Sequence, residues 1–308
     1  MISSIIIIIG LVVFEVISGI DNAIVNAHIL KTMSAKWRKI FLFWGIISAV
    51  FIVRGLLPLV IVWLSVPEIG LLGTLQSIFK SSPIVSQLIE ERKGVILIGA
   101  GVFLLLIYLH WLFLEKKDPF FLPDKLIKPH YGVWFFAFTA IMLVSLLYLA
   151  RNSYMLMLSA ALGNALFFII YGFREQAAKE EARLKGGQST LSDFSKLMFL
   201  EVLDASFSFD GVVGAFAFTT FIPLIFLGNG IGALVVRQLT IKGINHVEKY
   251  KWLKNGAMTS IGILGVFIIA KSFGVHIPEY LPTLTTIGCT GLAFFKSHQF
   301  LKKNNLQQ

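Results

Sequence analysis

Long apolar runs dominate the chain, separated by short polar segments. A helix needs about 20 mostly apolar residues to cross the hydrocarbon core of a bilayer. Runs of that kind fall near residues 4–29, 40–64, 95–114, 132–150, 154–173, 197–219, 222–241, 256–273 and 280–297. The pattern predicts an all-α fold, a polytopic transmembrane helix bundle of about nine spans. The stretch 68–90 is only half apolar and reads as an interfacial or loop helix. The first run has no basic start and carries Glu15 at its middle, so it reads as a retained span rather than a signal peptide. No Pro/Gly/Ser-rich linker divides the chain, and a single transmembrane domain over 1–308 is expected.

The polar segments then orient the array, because cytoplasmic loops of membrane proteins collect Lys and Arg. With the N-terminus outside, the inward segments hold 20 of the 27 basic residues. They run from Lys31, Lys36, Arg38 and Lys39 through Lys116, Lys117, Lys125 and Lys128 to Arg174, Lys179, Arg183, Lys185 and Lys196. Lys242, Lys249, Lys251, Lys254, Lys296, Lys302 and Lys303 complete the set. The outward segments hold only Lys80, Arg92, Lys93, Arg151 and Lys271, while Arg54 and Arg237 fall inside spans. The chain is therefore expected in the plasma (inner) membrane with its C-terminus cytoplasmic. Composition agrees: 14% charged residues and a mean hydropathy of +0.80 do not fit a soluble domain. The net charge of +10 follows from the inward loops, and no basic patch interleaved with aromatics points to nucleic acid. One cysteine, Cys289, excludes an internal disulfide and a Cys-based metal site.

Two stretches repeat. Glu15 precedes Asp21 by six positions, and Asp204 precedes Asp210 by six, with small or hydroxyl residues between. Downstream, Gly45 precedes Arg54 by nine and Gly228 precedes Arg237 by nine. The first acidic span runs inward and the second outward, so the repeats are expected to be of inverted topology, with a site near the midplane at broken helices. The first repeat covers 4–114, connecting spans 132–173, the second repeat 197–273, and 280–297 is a final span. Ser18-Gly19 and Ser206-Phe207-Ser208 with Gly211 and Gly214 are the expected break points.

Five acids in two spans are costly, at about 2.5–3.5 kcal/mol each on the insertion scale. On a helical wheel Glu15, Ser18, Asn22 and Asn26 share one stripe, as do Glu201, Asp204, Ser208 and Gly211. Asp21 and Asp210 lie beside these stripes, and local unwinding would bring both acid pairs to one centre. Carboxylates with Asn and Ser oxygens are hard ligands suited to Mg²⁺, Ca²⁺ or Mn²⁺. The expected metal ligands are Glu15, Asp21, Asn22, Asp204 and Asp210. Glu201, Ser18, Asn26, Ser208, Arg54 and Arg237 are secondary or gating residues. The bland alternative is that Arg54 and Arg237 only neutralise the acids; His28 reads as interfacial, and Asn164 and Asn229 as interhelical glue.

The segments Glu15 to Asn22 and Glu201 to Gly214, above all EVLDASFSFDGVVGAFAF, resemble the paired motifs of the TerC family in the LysE-type transporter superfamily, closest to a branch catalogued as a domain of unknown function. The resemblance implies inverted repeats, acidic transmembrane motifs and links to manganese efflux, metal homeostasis and tellurium resistance. Gly211 departs from it, standing where the first repeat has Asn22. The expectation is a transporter of a divalent metal cation, Mn²⁺ efflux first, with no permanently bound cofactor and no enzymatic activity. An aspartyl protease built on Asp21 and Asp210 lacks the usual Tyr-Asp and Gly-x-Gly-Asp surroundings. The alternatives are an exporter of a cationic organic solute, or a non-transporting scaffold in metal or tellurite stress resistance. Partners are the lipid bilayer and the metal ion; self-association into a homo-oligomer is left open.

Overall fold

A computed structural model describes residues 2–45, 47–79, 83–127, 132–185, 191–243 and 249–305. The expected loop charges Lys80 and Lys128 lie outside these residues. Among the described residues the secondary structure is helical, with no strand. The first apolar run forms α1 (Ile2–Ser18) and α2 (Ile20–Lys31), which meet at Gly19 with a bend of 47°. The expected break at Ser18-Gly19 is therefore present. It sits where polarity changes: α1 is almost purely apolar, whereas α2 carries Asp21 in its first turn, a placement that suits a helix N-terminus.

The second run is not a simple helix. It begins as α3 (Ala35–Ile40), widens into two π-helical segments, Phe41–Gly45 and Ser48–Leu56, and finishes as α4 (Leu57–Ser65). Pro58 has no N–H to donate, and its ring clashes with the carbonyl four residues back, that of Arg54. The wider π register before it relieves that conflict, and π insertions recur at functional sites. A 3-10 turn, Pro67–Ile69, and α5 (Gly70–Phe79) follow; Gly70 takes φ 69°, a left-handed value open to glycine. The stretch 68–90, expected as one interfacial helix, is thus divided, because residues from Pro83 onward belong to α6 (Pro83–Leu114).

After α6 come α7 (Leu122–Leu126), α8 (Gly132–Leu149), α9 (Tyr154–Lys185) and α10 (Asp193–Ala215). The chain ends with α11 (Ile222–Gln238), a π segment Leu239–Gly243, α12 (Leu253–Ser272) and α13 (Tyr280–Asn305). Among the described residues five helices are long and apolar enough to cross a membrane, or six if the bent α1–α2 pair counts as one span. The other expected spans are helical as well, but α10 carries four acids along its length and the second run is cut into shorter pieces. α10 also runs unbroken through Ser206-Phe207-Ser208, so the second expected break is absent.

α6 is the central rod, 78% buried over its apolar window, whereas α8 and α9 are 17% buried over theirs. It packs between α12 and α9; α12 continues through α13 to α1, and α1 lies along α11. α10 in turn lies against the second π segment. Close helix approach in lipid relies on small residues. Gly228 and Gly232 of α11 supply them: a Cβ on Gly228 would sit 2.5 Å from Leu11 Cβ, and one on Gly232 2.5 Å from Glu15 Cβ. Hydroxyls add hydrogen bonds between rods, with Ser159 donating to the Val95 carbonyl at 2.5 Å and Ser260 to Thr286 at 3.1 Å.

Polar contacts join the elements at both ends of the bundle. At one end Lys196 donates to the Thr32 carbonyl at 3.0 Å and Lys251 meets Asp118 at 3.0 Å. Asn255 donates to Asp124 there at 2.6 Å. At the other end Ser3 donates to Glu279 at 2.6 Å and Lys271 to the Ala217 carbonyl at 3.1 Å. Seating α1 on α11 leaves no space for a larger side chain. Gly232→Leu is expected to cost about 1–3 kcal/mol by overpacking, read as a lower unfolding temperature in detergent; an unchanged temperature contradicts this packing.

Candidate functional site

α1 carries Glu15 into the protein interior, where the residue is 2% exposed. Its Oε1 accepts from Arg54 Nη2 at 2.5 Å and from Nε at 2.9 Å, the guanidinium arriving from the second π segment. The other oxygen, Oε2, has no hydrogen-bond partner and lies against Gly211 of α10, where any Cβ would collide with it. Gly211 is therefore a space for the Glu15 carboxylate rather than a missing ligand. Its carbonyl also accepts from Asn229 of α11 at 3.3 Å, the interhelical role expected for that asparagine.

Beyond the break, two faces of α2 look into two different cavities. Asn22 and Asn26 face a small one of about 40 Å³, lined also by Gly45, Arg54, Asp204 and Arg237. Such a volume holds one or two waters or a single ion. Asn22 Nδ2 donates to Asp204 Oδ1, while the buried Oδ1 atoms of Asn22 and Asn26 have no partner. Arg237 donates to the Phe41 carbonyl at 3.1 Å and lies 5.7 Å from the centre of the Phe41 ring. Asp204 and Glu201 are within electrostatic reach of it. Glu201 leans over Gly45, where a Cβ would stand 2.7 Å from its Oε1.

Asp21 and Ser18 face a larger cavity of about 360 Å³, together with His110, Glu115, Tyr171, Arg174 and Asp210. Here Asp210 Oδ2 is 2.8 Å from Arg174 Nη1. Arg174 also donates to the Ser206 carbonyl at 2.5 Å and lies 4.5 Å over the Phe207 ring. Asp210 Oδ1 is buried without a partner. Lys254, in the first turn of α12, places its ammonium 2.9 Å from Asp21 Oδ2 and 2.7 Å from Glu115 Oε2. Tyr171 donates to Glu115 Oε1 at 3.2 Å, and His110 Nδ1 stands 3.8 Å from that oxygen. Burial works against ionisation of Glu115, but His110 and the Lys254 ammonium favour it more strongly and hold the pKa at about 2.

The residues expected at one centre are thus shared between two cavities on either side of α2, with Glu15 within electrostatic reach of both Asp204 and Asp210. Among the described residues no three His, Cys, Asp or Glu side chains gather as a ready metal group. Ser208 is buried with its hydroxyl unpartnered, and Ser18 donates only to the Glu15 carbonyl, at 3.3 Å. The residues that sequence reasoning left out are Arg174, Lys254, Glu115, His110 and Tyr171. Arg174 and Lys254 read as cytoplasmic loop charges, yet Arg174 lies three residues past Tyr171 on an uninterrupted helix. That i, i+3 spacing puts both on one face and was the available signal.

Two outcomes follow. Glu15→Gln takes the carboxylate away from the buried Arg54 guanidinium and is expected to cost about 3–5 kcal/mol; adding Arg54→Met recovers most of it in thermal unfolding, whereas additive losses contradict the pairing. For Glu115, a depressed carboxyl pKa gives stability that is complete above the ordinary value of 4.5 and is lost as pH falls through about 2. The unfolding-temperature gap between the native chain and Glu115→Gln should hold from pH 7 to about 4.5 and close toward pH 2.

The family described as "Protein of unknown function (DUF475)" matches residues 20–305, and the chain belongs to it. Asp21, Asn22, Arg54, Asp204 and Asp210 fall within the match; α1 and Glu15 precede it. No curated protein and no solved structure matches the chain.

Proposed function

We propose that this DUF475 protein is a membrane transporter of a divalent metal cation, Mn²⁺ first, that exchanges its own basic side chains for the ion. The observation that carries the reading is the set of buried, unpartnered oxygens on Glu15, Asn22, Asn26 and Asp210 beside carboxylates at the depth of apolar helices. Buried polar atoms ordinarily have partners, and hard oxygen donors suit a hard cation. Charge supports it too. The carboxylates Glu15, Asp21, Glu115, Glu201, Asp204 and Asp210 face Arg54, Arg174, Arg237 and Lys254. The carboxylates outnumber the cations that face them, an excess that a bound cation would offset.

In this arrangement the acids are engaged by guanidinium, ammonium or amide groups. A metal therefore binds by exchange: Arg54 and Arg174 withdraw as the ion takes their carboxylates, and α2 pivots at Gly19 to bring Asn22 and Asn26 to it. The half-helix break beside a midplane site is the device of inverted-repeat transporters. The resemblance to TerC supports the choice of manganese and the direction, efflux. The clustering of basic loops supports an inner-membrane placement with the N-terminus outside.

A second reading, export of an organic cation, draws on Phe207, which already carries a guanidinium on its face in the larger cavity. Flux in reconstituted vesicles separates the two. Mn²⁺ uptake should fall by about tenfold or more, the factor carried by 1.4 kcal/mol of lost binding, in Asp204→Asn and in Asp210→Asn, both still inserted. Undiminished Mn²⁺ flux in the doubly substituted protein rejects the metal reading, and flux of an alkylguanidinium without Mn²⁺ flux selects the second.

A further inference from the structure

The Asp21–Glu115 pair is formed by elements far apart in the chain, the first turn of α2 and the residue following α6. Both carboxylates reach one ammonium, at 2.9 and 2.7 Å, and that ammonium comes from a third element, α12. Tyr171 anchors the free oxygen of Glu115 from α9. Four elements thus build one cradle of cation-binding oxygens. The Lys254, Asp21 and Glu115 side chains are 40%, 37% and 28% exposed, so solvent reaches the ammonium and both carboxylates. The cradle also continues inward. Asp210 is 7% exposed, lines the same cavity and keeps Oδ1 without a partner. A cavity of about 360 Å³ leaves space for an ion with several of its waters, at roughly 30 Å³ each.

We propose that Asp21 and Glu115 form an entry site for a cation, filled here by the protein's own Lys254 ammonium, which an incoming cation displaces on its way to Asp210. The inference rests on the cation-transport reading and adds to it a second site, distinct from the small cavity at Asn22, Asn26 and Asp204. The ligand chemistry is that of a compact cation making hydrogen-bonded or coordinated contacts to two carboxylates. A hydrated divalent metal and a primary ammonium both satisfy it, and the test separates them. A tethered competitor lowers apparent affinity by the fraction of time it occupies the site, so removing it tightens binding.

The test uses the full chain in detergent with two probes, Mn²⁺ and butylammonium. Acetylation of Lys254 by an amine-reactive reagent, followed by mass spectrometry, should rise several-fold when a displacing cation is added, while the exposed Lys179 stays constant. In parallel, Lys254→Met should bind the same cation about tenfold more tightly than the native chain. Lys254→Gln serves as a second variant should the methionine protein fail to fold, and Lys254→Arg should keep native affinity. Lys254 labelling unmoved by either probe, or unchanged affinity in both neutral variants, overturns the entry site even where Mn²⁺ flux is intact. Displacement by butylammonium alone keeps the entry site and removes the metal reading; displacement by Mn²⁺ supports both.

Discussion

A carboxylate carried into the interior of an apolar helix bundle must be met by a counter-charge, and the meeting of Glu15 with Arg54 is the contact around which the other rods are fitted. The cost of leaving either group unpaired is several kcal/mol, so the second run must deliver Arg54 to Glu15 whatever this asks of its backbone. What it asks is the π register of Ser48–Leu56 ahead of Pro58. The helices on the other side of Glu15 yield in a different way. α10 offers Gly211 against the carboxylate and α11 offers Gly232 against its Cβ and Cγ. One ion pair therefore fixes the approach of four elements.

The same pair accounts for the crosswise packing. α1, from the first acidic segment, lies along α11, which follows the second; α10, from the second acidic segment, lies against the π rod that follows the first. Each acidic segment thus packs on the rod that follows the other one. The two acidic segments are unequal in detail. Gly19 breaks the first acidic helix, whereas Gly211 and Gly214 leave the second one intact because they make room for Glu15 and Phe14. A glycine in a transmembrane segment marks a break or a close approach, and only the neighbour decides which.

That ambiguity sets how far the sequence could be read. Apolar run length placed the helices. The Ser18-Gly19 break was legible because polarity switches across it. The pairing of Arg54 with Glu15 was foreseeable, since a lone arginine within a span must find an acid. Arg174 and Lys254 were not, because the rule that assigns basic residues to cytoplasmic loops also hides those that reach back into the bundle. Arg174 stays on the rigid continuation of α9 and Lys254 opens α12. The side-chain lengths that let both reach Asp210, Asp21 and Glu115 carry no periodic signature. The division of the acids between two cavities was hidden for a related reason. Asp21 and Asn22 are neighbours in sequence but about 100° apart around α2, so unwinding is not needed to use both.

The three charge pairs differ in burial, and the gradient bears on how a carrier would use them. Arg54 and Glu15 have side chains 5% and 2% exposed, Arg174 and Asp210 12% and 10%, Lys254 and Asp21 40% and 37%. Exchange of a protein cation for a mobile one is least costly where water still solvates the departing group. On the carrier reading, substitution starts at Lys254, passes to Arg174 and reaches Arg54 last, so that each step prepares the desolvated surroundings of the next. A scaffold held together by ion pairs has no need of such an order. It would gain as much from apolar contacts of the same volume, and it would not keep unpartnered oxygens on Asn22, Asn26 and Asp210 at the inner end of the path.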